Sequence, residues 1–301
     1  MIYALIVLLL ALMTVNGISI HAFKEMTLDR RSTLQESFYS LEKGKLYTKE
    51  EFKKLHKEEV EIKSNEGLSL KGTFIKKIKD SKKIIIIVHG YTSNYVWSLQ
   101  FIEMFFKEGF NVLLIDQRSH GRSEGKYATY GYYEKYDLDF WVDWVRQKVG
   151  ADTVIGLHGQ SMGGGTVLQY AAISKHVKFI IADCPYSDVT QLMKHQFNEV
   201  KHMPFLPFKW FLDMRLKVFA KFSMKEVSPI NSIKDKKIPI FFIHGSKDNF
   251  VPTYMSKDMY EVKKGYKKLL IVEGAVHANS YGTDKELYDR EVHNFLQEVL
   301  S

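Results

Sequence analysis

The chain has 301 residues, 45% of them hydrophobic, enough to bury one large core, and its single cysteine, Cys184, excludes an internal disulfide. Its net charge of +8 is dispersed over lysine pairs such as Lys76-Lys77, Lys82-Lys83, Lys236-Lys237 and Lys263-Lys264. No recognition motif accompanies that charge, so it gives nucleic-acid binding no support; solvated surface, or attraction to an anionic bilayer, accounts for it.

Taken in order, the chain opens with Ile2 to Ile20, apolar apart from Thr14, Asn16, Gly17 and Ser19 and long enough as a helix to cross a bilayer. Residues 1–22 are expected to be a transmembrane anchor or a signal segment; with neither a basic leading region nor a clear small-residue cleavage site, the uncleaved single-pass anchor is the preferred reading. Lys24, Arg30 and Arg31 follow it and none precedes it, which by the positive-inside rule alone would put the rest of the chain in the cytoplasm. Residues 23–57 are polar and charged, with a capping box at Thr48-Lys49-Glu50-Glu51, and are expected to be helices that space the domain at 58–301 from the membrane.

Within that domain a hairpin is predicted at Val60 to Ile75 around Asn65-Glu66-Gly67. Lys83 to Val88 reads as a strand buried on both faces, Trp97 to Lys107 as a helix stopped by Gly109, and Asn111 to Ile115 as the next strand. A helix at Tyr133 to Lys148, a strand at Thr153 to Leu157 and a helix at Met162 to Ser174 follow. Strands at Val177 to Ala182, Ile240 to Ile243 and Lys268 to Val272 come next, with an amphipathic helix from about Asp284 to the end. Such alternation predicts an α/β fold: a mostly parallel twisted sheet with helices on both faces. Residues 186–237 interrupt it as a small helical lid. Their aromatic cluster, Met203 to Leu212, is expected partly to pack on the body and partly to line an acyl pocket.

Chemistry concentrates at the strand ends. Gly159-Gln160-Ser161-Met162-Gly163 joins a predicted strand to a predicted helix, the context of a nucleophile elbow, in which a sharp turn projects the serine hydroxyl. A serine needs a base in hydrogen-bond reach and a third group to orient that base. His277 follows the strand ending at Val272 and is the expected base. Asp248, just beyond the strand Ile240 to Ile243, is the expected acid; its rival is Asp183, at the end of Val177 to Ala182. The turn His89-Gly90-Tyr91 after the buried strand is expected to offer the Tyr91 backbone N–H to a developing oxyanion, with the Met162 N–H as second donor.

With a fourth motif, Asp116-Gln117-Arg118-Ser119-His120-Gly121-Arg122-Ser123, these segments resemble the α/β-hydrolases. The similarity is to the serine-aminopeptidase or lysophospholipase-like branch, near the N-terminally anchored bacterial "cell-surface hydrolases", and runs from Val60 to the C-terminus. Ser119 stands where that family usually has glycine, and His120 reads as structural. A serine at the elbow separates the chain from the dehalogenase and epoxide-hydrolase branches. The resemblance implies the α/β-hydrolase fold, an outward-facing domain, and a serine hydrolase that cleaves small-molecule carboxylic esters through an acyl-enzyme with no metal or cofactor. Peptidase and acyltransferase chemistry share that intermediate; a non-catalytic binding protein is the alternative of another class. Substrate and oligomeric state are not set by the sequence.

Overall fold

The computed structural model describes residues 2–28 and 31–301. Met1, in the expected anchor, and Arg30, in its basic flank, lie outside the described residues.

The apolar runs become strands of one sheet: β1 (Lys57–Lys63), β2 (Ser69–Ile75), β3 (Lys83–Val88), β4 (Asn111–Ile115), β5 (Val154–Gln160), β6 (Val177–Asp183), β7 (Ile240–Gly245) and β8 (Lys267–Val272). Their order is β1-β2-β4-β3-β5-β6-β7-β8. β1 and β2 form the predicted hairpin, and β2 pairs with β4 antiparallel; all later pairings are parallel. Because side chains alternate across a strand, Ile85 and Ile87 of β3 enter the core on one face of the sheet, while Ile84, Ile86 and Val88 enter the core on the other. A strand with both faces covered has no polar face to show, which is why β3 reads as an unbroken run of apolar residues.

Helix α1 spans Ile2–Leu28, straight through the boundary expected at residue 22. α2 (Leu34–Lys43) and α3 (Lys49–Lys54) each begin with a complete capping box, Thr33 with Glu36 and Thr48 with Glu51. Neither helix holds the domain at a distance. Phe38, Leu41, Tyr47 and Phe52 are buried in the same core as Phe101 and Tyr288, so the segment is a built-in layer of the domain; its apolar residues were simply too sparse to stand out among its charges. The predicted helix at Trp97 to Lys107 is a 3-10 turn over Tyr95–Phe101, capped by Asn94, running into α4 (Ile102–Lys107).

α5 (Glu134–Val149) and α6 (Met162–Tyr170) cover the opposite face. The lid contains α7 (Val189–His195), α8 (Leu206–Arg215) and α9 (Pro229–Ile233); α10 (Tyr254–Val262), α11 (Ser280–Thr283) and α12 (Lys285–Leu300) complete the fold. α1 packs against α8, and its buried residues Ala22, Phe23 and Met26 share a core with Phe208 and Leu212 of the lid. If α2 is structural, Leu41→Ala, at a fully buried position, should cost about 2–5 kcal/mol in denaturant unfolding of the full chain. A detached spacer would give a change within about 0.5 kcal/mol.

Candidate active site

β5 ends by bending sharply into α6, and Ser161 occupies the bend with φ 55° and ψ −115°. That conformation is strained for a residue with a side chain, by on the order of 1–3 kcal/mol. The flanking glycines show what holds it. A Cβ on Gly163 would stand 2.1 Å from the Val88 carbonyl oxygen, and one on Gly159 would stand 2.3 Å from the Gly163 oxygen. β3, β5 and α6 can therefore approach this closely only with bare backbone at both positions. The Ser161 N–H donates to the Asp183 carbonyl at 2.8 Å, which ties the bend to β6.

Three of the predicted residues meet there. The Ser161 hydroxyl lies 2.8 Å from His277 Nε2, and His277 Nδ1 lies 2.7 Å from Asp248 Oδ2. A carboxylate facing Nδ1 places the ring proton there and leaves Nε2 to accept from the serine hydroxyl. Asp248 Oδ1 accepts from the N–H groups of Phe250 (2.9 Å) and Val251 (2.8 Å), and His244 Nε2 approaches Oδ2 at 3.2 Å. Burial alone would raise the Asp248 carboxyl. The hydrogen bonds from His244 and His277, the charge on His277 and the Val251 N–H outweigh it and hold the group well below the usual carboxylate range. His244 in turn reaches Ser256 (2.7 Å) and the Val251 carbonyl (2.8 Å), so it braces the acid loop from beneath. The lid braces the same loop from above: His195 Nε2 lies 2.8 Å from the Asn249 carbonyl, and Gln196 donates to that of Phe250.

Asp183, the rival acid, makes no hydrogen bond to His277. Its Oδ2 accepts from Gln160 at 3.0 Å, and its other oxygen has no hydrogen-bond partner among the described residues. Complete burial pushes this carboxyl up to about 6. Cys184 comes next, and its thiol lies with Asp248 and His277 in a group whose ligand atoms fall within 4.8 Å of one another. Burial raises the Cys184 pKa well above its ordinary value, so the thiol beside the pair is protonated.

The expected oxyanion turn lies against Ser161: a Cβ built on Gly90 would be 3.4 Å from Ser161 Cβ. His89 Nε2 accepts from the Gln117 N–H at 3.1 Å, so its Nδ1 carries the proton and donates to the Gly90 carbonyl at 2.7 Å. In the Asp116 to Ser123 loop, Arg118 makes a bidentate pair with Asp137 at 2.6 and 2.7 Å. His120 Nε2 accepts from the Thr92 N–H at 3.3 Å and the ring touches no triad member, in keeping with a structural role.

Sequence reasoning passed over His244 and Gln160. His244 could have been noticed as a titratable side chain at the end of a buried strand, four residues before Asp248. Gln160 binds Asp183, the Trp97 indole (2.7 Å) and the Ala278 carbonyl (3.3 Å), joining the strand before Ser161 to the loop of His277. It stands at an unconstrained position of the elbow pattern, and nothing in the sequence marks it.

Ser161 and His277 open onto a cavity of about 500 Å³, with Tyr91, Tyr130, Met193 and Phe197 on its walls. The expected wall, Phe205 to Phe211, is not part of it. Phe208 stacks behind Phe197 at 5.5 Å between ring centres, supporting the wall without reaching the space, whereas Trp210 and Leu206 face outward. The other wall is α1, which supplies Ala22, Glu25 and Met26. A larger depression, about 710 Å³, lies at the opposite ends of β3 and β4 among Lys76, Lys77, Lys79 and Lys82, away from these groups.

A family profile described as the alpha/beta hydrolase fold matches residues 83–225. Over 252 residues the chain is 35% identical to the uncharacterized protein YqkD of Bacillus subtilis, covering 83% of this chain and 82% of that one. It is 33% identical to the thiohydrolase aneE of Aspergillus aculeatus over 44% of this chain and 42% of the other. Among solved structures the esterase Pf2001 of Pyrococcus furiosus superposes with a TM-score of 0.67 at 27% identity, covering 85% of this chain and 97% of its own.

The raised pKa of Asp183 has a definite sign. A carboxyl titrating higher in the folded than in the unfolded state contributes most below its unfolded value of about 4, and that contribution is lost as pH rises through about 6. Asp183→Asn should therefore gain Tm relative to the parent as pH goes from 4 to 8. A Tm difference that stays constant across that range would contradict an ionising, unsatisfied carboxyl at this position.

Proposed function

The chain belongs to the alpha/beta hydrolase fold family, and from that membership and the geometry at Ser161 we propose that it is a serine hydrolase cleaving carboxylic esters through an acyl-enzyme. The observation that carries this reading is the unbroken line from the Ser161 hydroxyl through His277 to Asp248, ending in an open cavity.

In this mechanism His277 Nε2 takes the Ser161 proton as Oγ attacks the ester carbonyl. Asp248, kept ionised by its donors, stabilises the imidazolium and holds its tautomer. The carbonyl oxygen becomes an anion held by backbone N–H groups. Met162 is the first residue of α6, so its N–H has no partner within the helix. The Tyr91 N–H is aimed indirectly: C=O and N–H of one trans peptide point in opposite directions, so His89, by engaging the Gly90 carbonyl, turns the Tyr91 N–H away from itself. Collapse of the intermediate returns the proton from His277 to the leaving alcohol, and water, activated by the same imidazole, releases the acid.

Walls that are mostly apolar, with Glu25, Thr92, Gln196 and Lys201 among them, favour an ester with a hydrocarbon chain over a peptide, whose amides would need more polar partners. The esterase neighbour supports the ester reading, and the thiohydrolase relative makes thioesters a natural member of the same test panel. α1 is long and apolar enough to span a bilayer, and its first half is exposed along its whole length. It serves as a membrane anchor in this reading.

Ser161→Ala should lower ester turnover by about four to six orders of magnitude with the fold intact, and should abolish labelling by a fluorophosphonate. A folded variant retaining a tenth of the parent's activity would remove Ser161 from the mechanism, and a parent that is never labelled would favour a non-catalytic binding protein. Asp248→Asn should cost roughly four orders of magnitude, since the wrong imidazole tautomer is then favoured. Asp183→Asn should leave most activity; the reverse ranking of the two would move the acid to β6.

A further inference from the structure

α1 is docked too deeply to act as a simple tether. Its exposed stretch, Ile2 to Thr14, is about 20 Å long at 1.5 Å per residue, short of the roughly 30 Å hydrocarbon core of a bilayer. From Val15 onward the helix packs on the lid: Arg215 of α8 donates to Ser19 at 2.9 Å and to Asn16, Phe219 meets Phe23 at 5.8 Å between ring centres, and Lys201 pairs with Glu25 at 2.8 Å. The turn at Gly17 to Ile20 continues the exposed apolar stretch directly, so immersing that stretch brings the turn, and the lid bound to it, to the membrane. The lid surface suits such immersion. Leu206, Trp210, Met214 and Val218 recur every four residues on one outward face, and Trp210 is 73% exposed.

The second observation is a passage. Beside the catalytic cavity lies another of about 540 Å³, lined by Gly17, Ile18, His21 and Met203; the two share Ala22, Glu25, Phe197 and Lys201. Together they form one groove between α1 and the lid, leading from Ser161 to the level of Gly17, at the end of the exposed apolar stretch.

We propose that this groove is the alkyl-chain site of the enzyme, that the last turns of the anchor are one of its walls, and that its substrate is an ester with a single long hydrocarbon chain drawn directly from the leaflet. The proposal rests on the serine-esterase reading above and adds the substrate class and its route. Glu25 and Lys201, ion-paired where the two cavities join, are the polar step beside which the ester enters, with hydrocarbon lying toward Gly17.

The test uses the full chain in phospholipid nanodiscs with 4-methylumbelliferyl esters, reading ratios of kcat/KM. Ala22→Phe, which fills the junction, should lower the dodecanoyl to butyryl ratio at least tenfold. Gly17→Leu acts about 7.5 Å further along the helix. It should lower the hexadecanoyl to dodecanoyl ratio about tenfold while keeping the dodecanoyl to butyryl ratio. Unchanged ratios in the folded variants would overturn the groove, and so would an equal fall for every chain length. If Ala22→Phe fails to fold, Gly17→Leu decides, because a Cβ at Gly17 meets nothing within 4 Å. Should the parent hydrolyse no ester, the serine-esterase reading falls separately. The groove is then judged on Ser161→Ala protein with a diazirine-bearing fatty acid: photoadducts at Ala22, Met26, Phe197 or Met203 support it, and adducts confined to Ile2 to Met13 overturn it.

Discussion

The contact on which the site depends is between bare backbone and bare backbone, where the end of β3 lies against the first turn of α6. With 2.1 Å between the Val88 oxygen and the position a Gly163 Cβ would take, no side chain fits. This approach does three things together. It forces Ser161 into its strained conformation, exposes its hydroxyl above the strand ends, and brings the Gly90-Tyr91 peptide alongside. The strain is sustained because neighbouring strands over-determine the turn, with the Ser161 N–H bound to β6 and α6 packed into the core.

Around that turn the same physical rules shift the pKa values of two buried aspartates in opposite directions. Both lose solvation. Asp248 recovers it from two backbone N–H groups and two imidazoles and stays ionised, whereas Asp183 has one amide donor and, among the described residues, an oxygen without a hydrogen-bond partner, and its pKa rises. The supply of donors thus decides which of the two carboxyls has the lower pKa, although both are aspartates at the C-terminal edge of a parallel sheet. His244 and the lid residues His195 and Gln196 matter for this reason: they fix the loop that delivers those donors.

The N-terminal helix joins the domain's two environments. One end carries mostly apolar side chains outward; the other is threaded between the lid and the cavity at Ser161. The position of the lid is therefore mechanically linked to that of α1 through Arg215, Phe219 and Lys201.

By itself the sequence determined the elements and the chemistry at their ends. Short continuous apolar runs bounded by turn signals read as strands covered on both faces, and glycines two residues either side of Ser161 fit a tight turn, so the fold and the positions of Ser161, Asp248 and His277 were legible in it. The tertiary structure decided what depended on distant partners. The choice between Asp248 and Asp183 as the residue facing His277 required the loop after β7 to fold back, and Gln160 acquired its role only when β6, Trp97 and Ala278 converged on it. The segment expected as a spacer became core because Phe38, Leu41, Tyr47 and Phe52, few among many charges, found apolar neighbours far along the chain. The cavity wall passed from Phe205 to Phe211 to α1 and Phe197 for the same reason. Local pattern records which residues are apolar, whereas packing in three dimensions selects which of them border an open space.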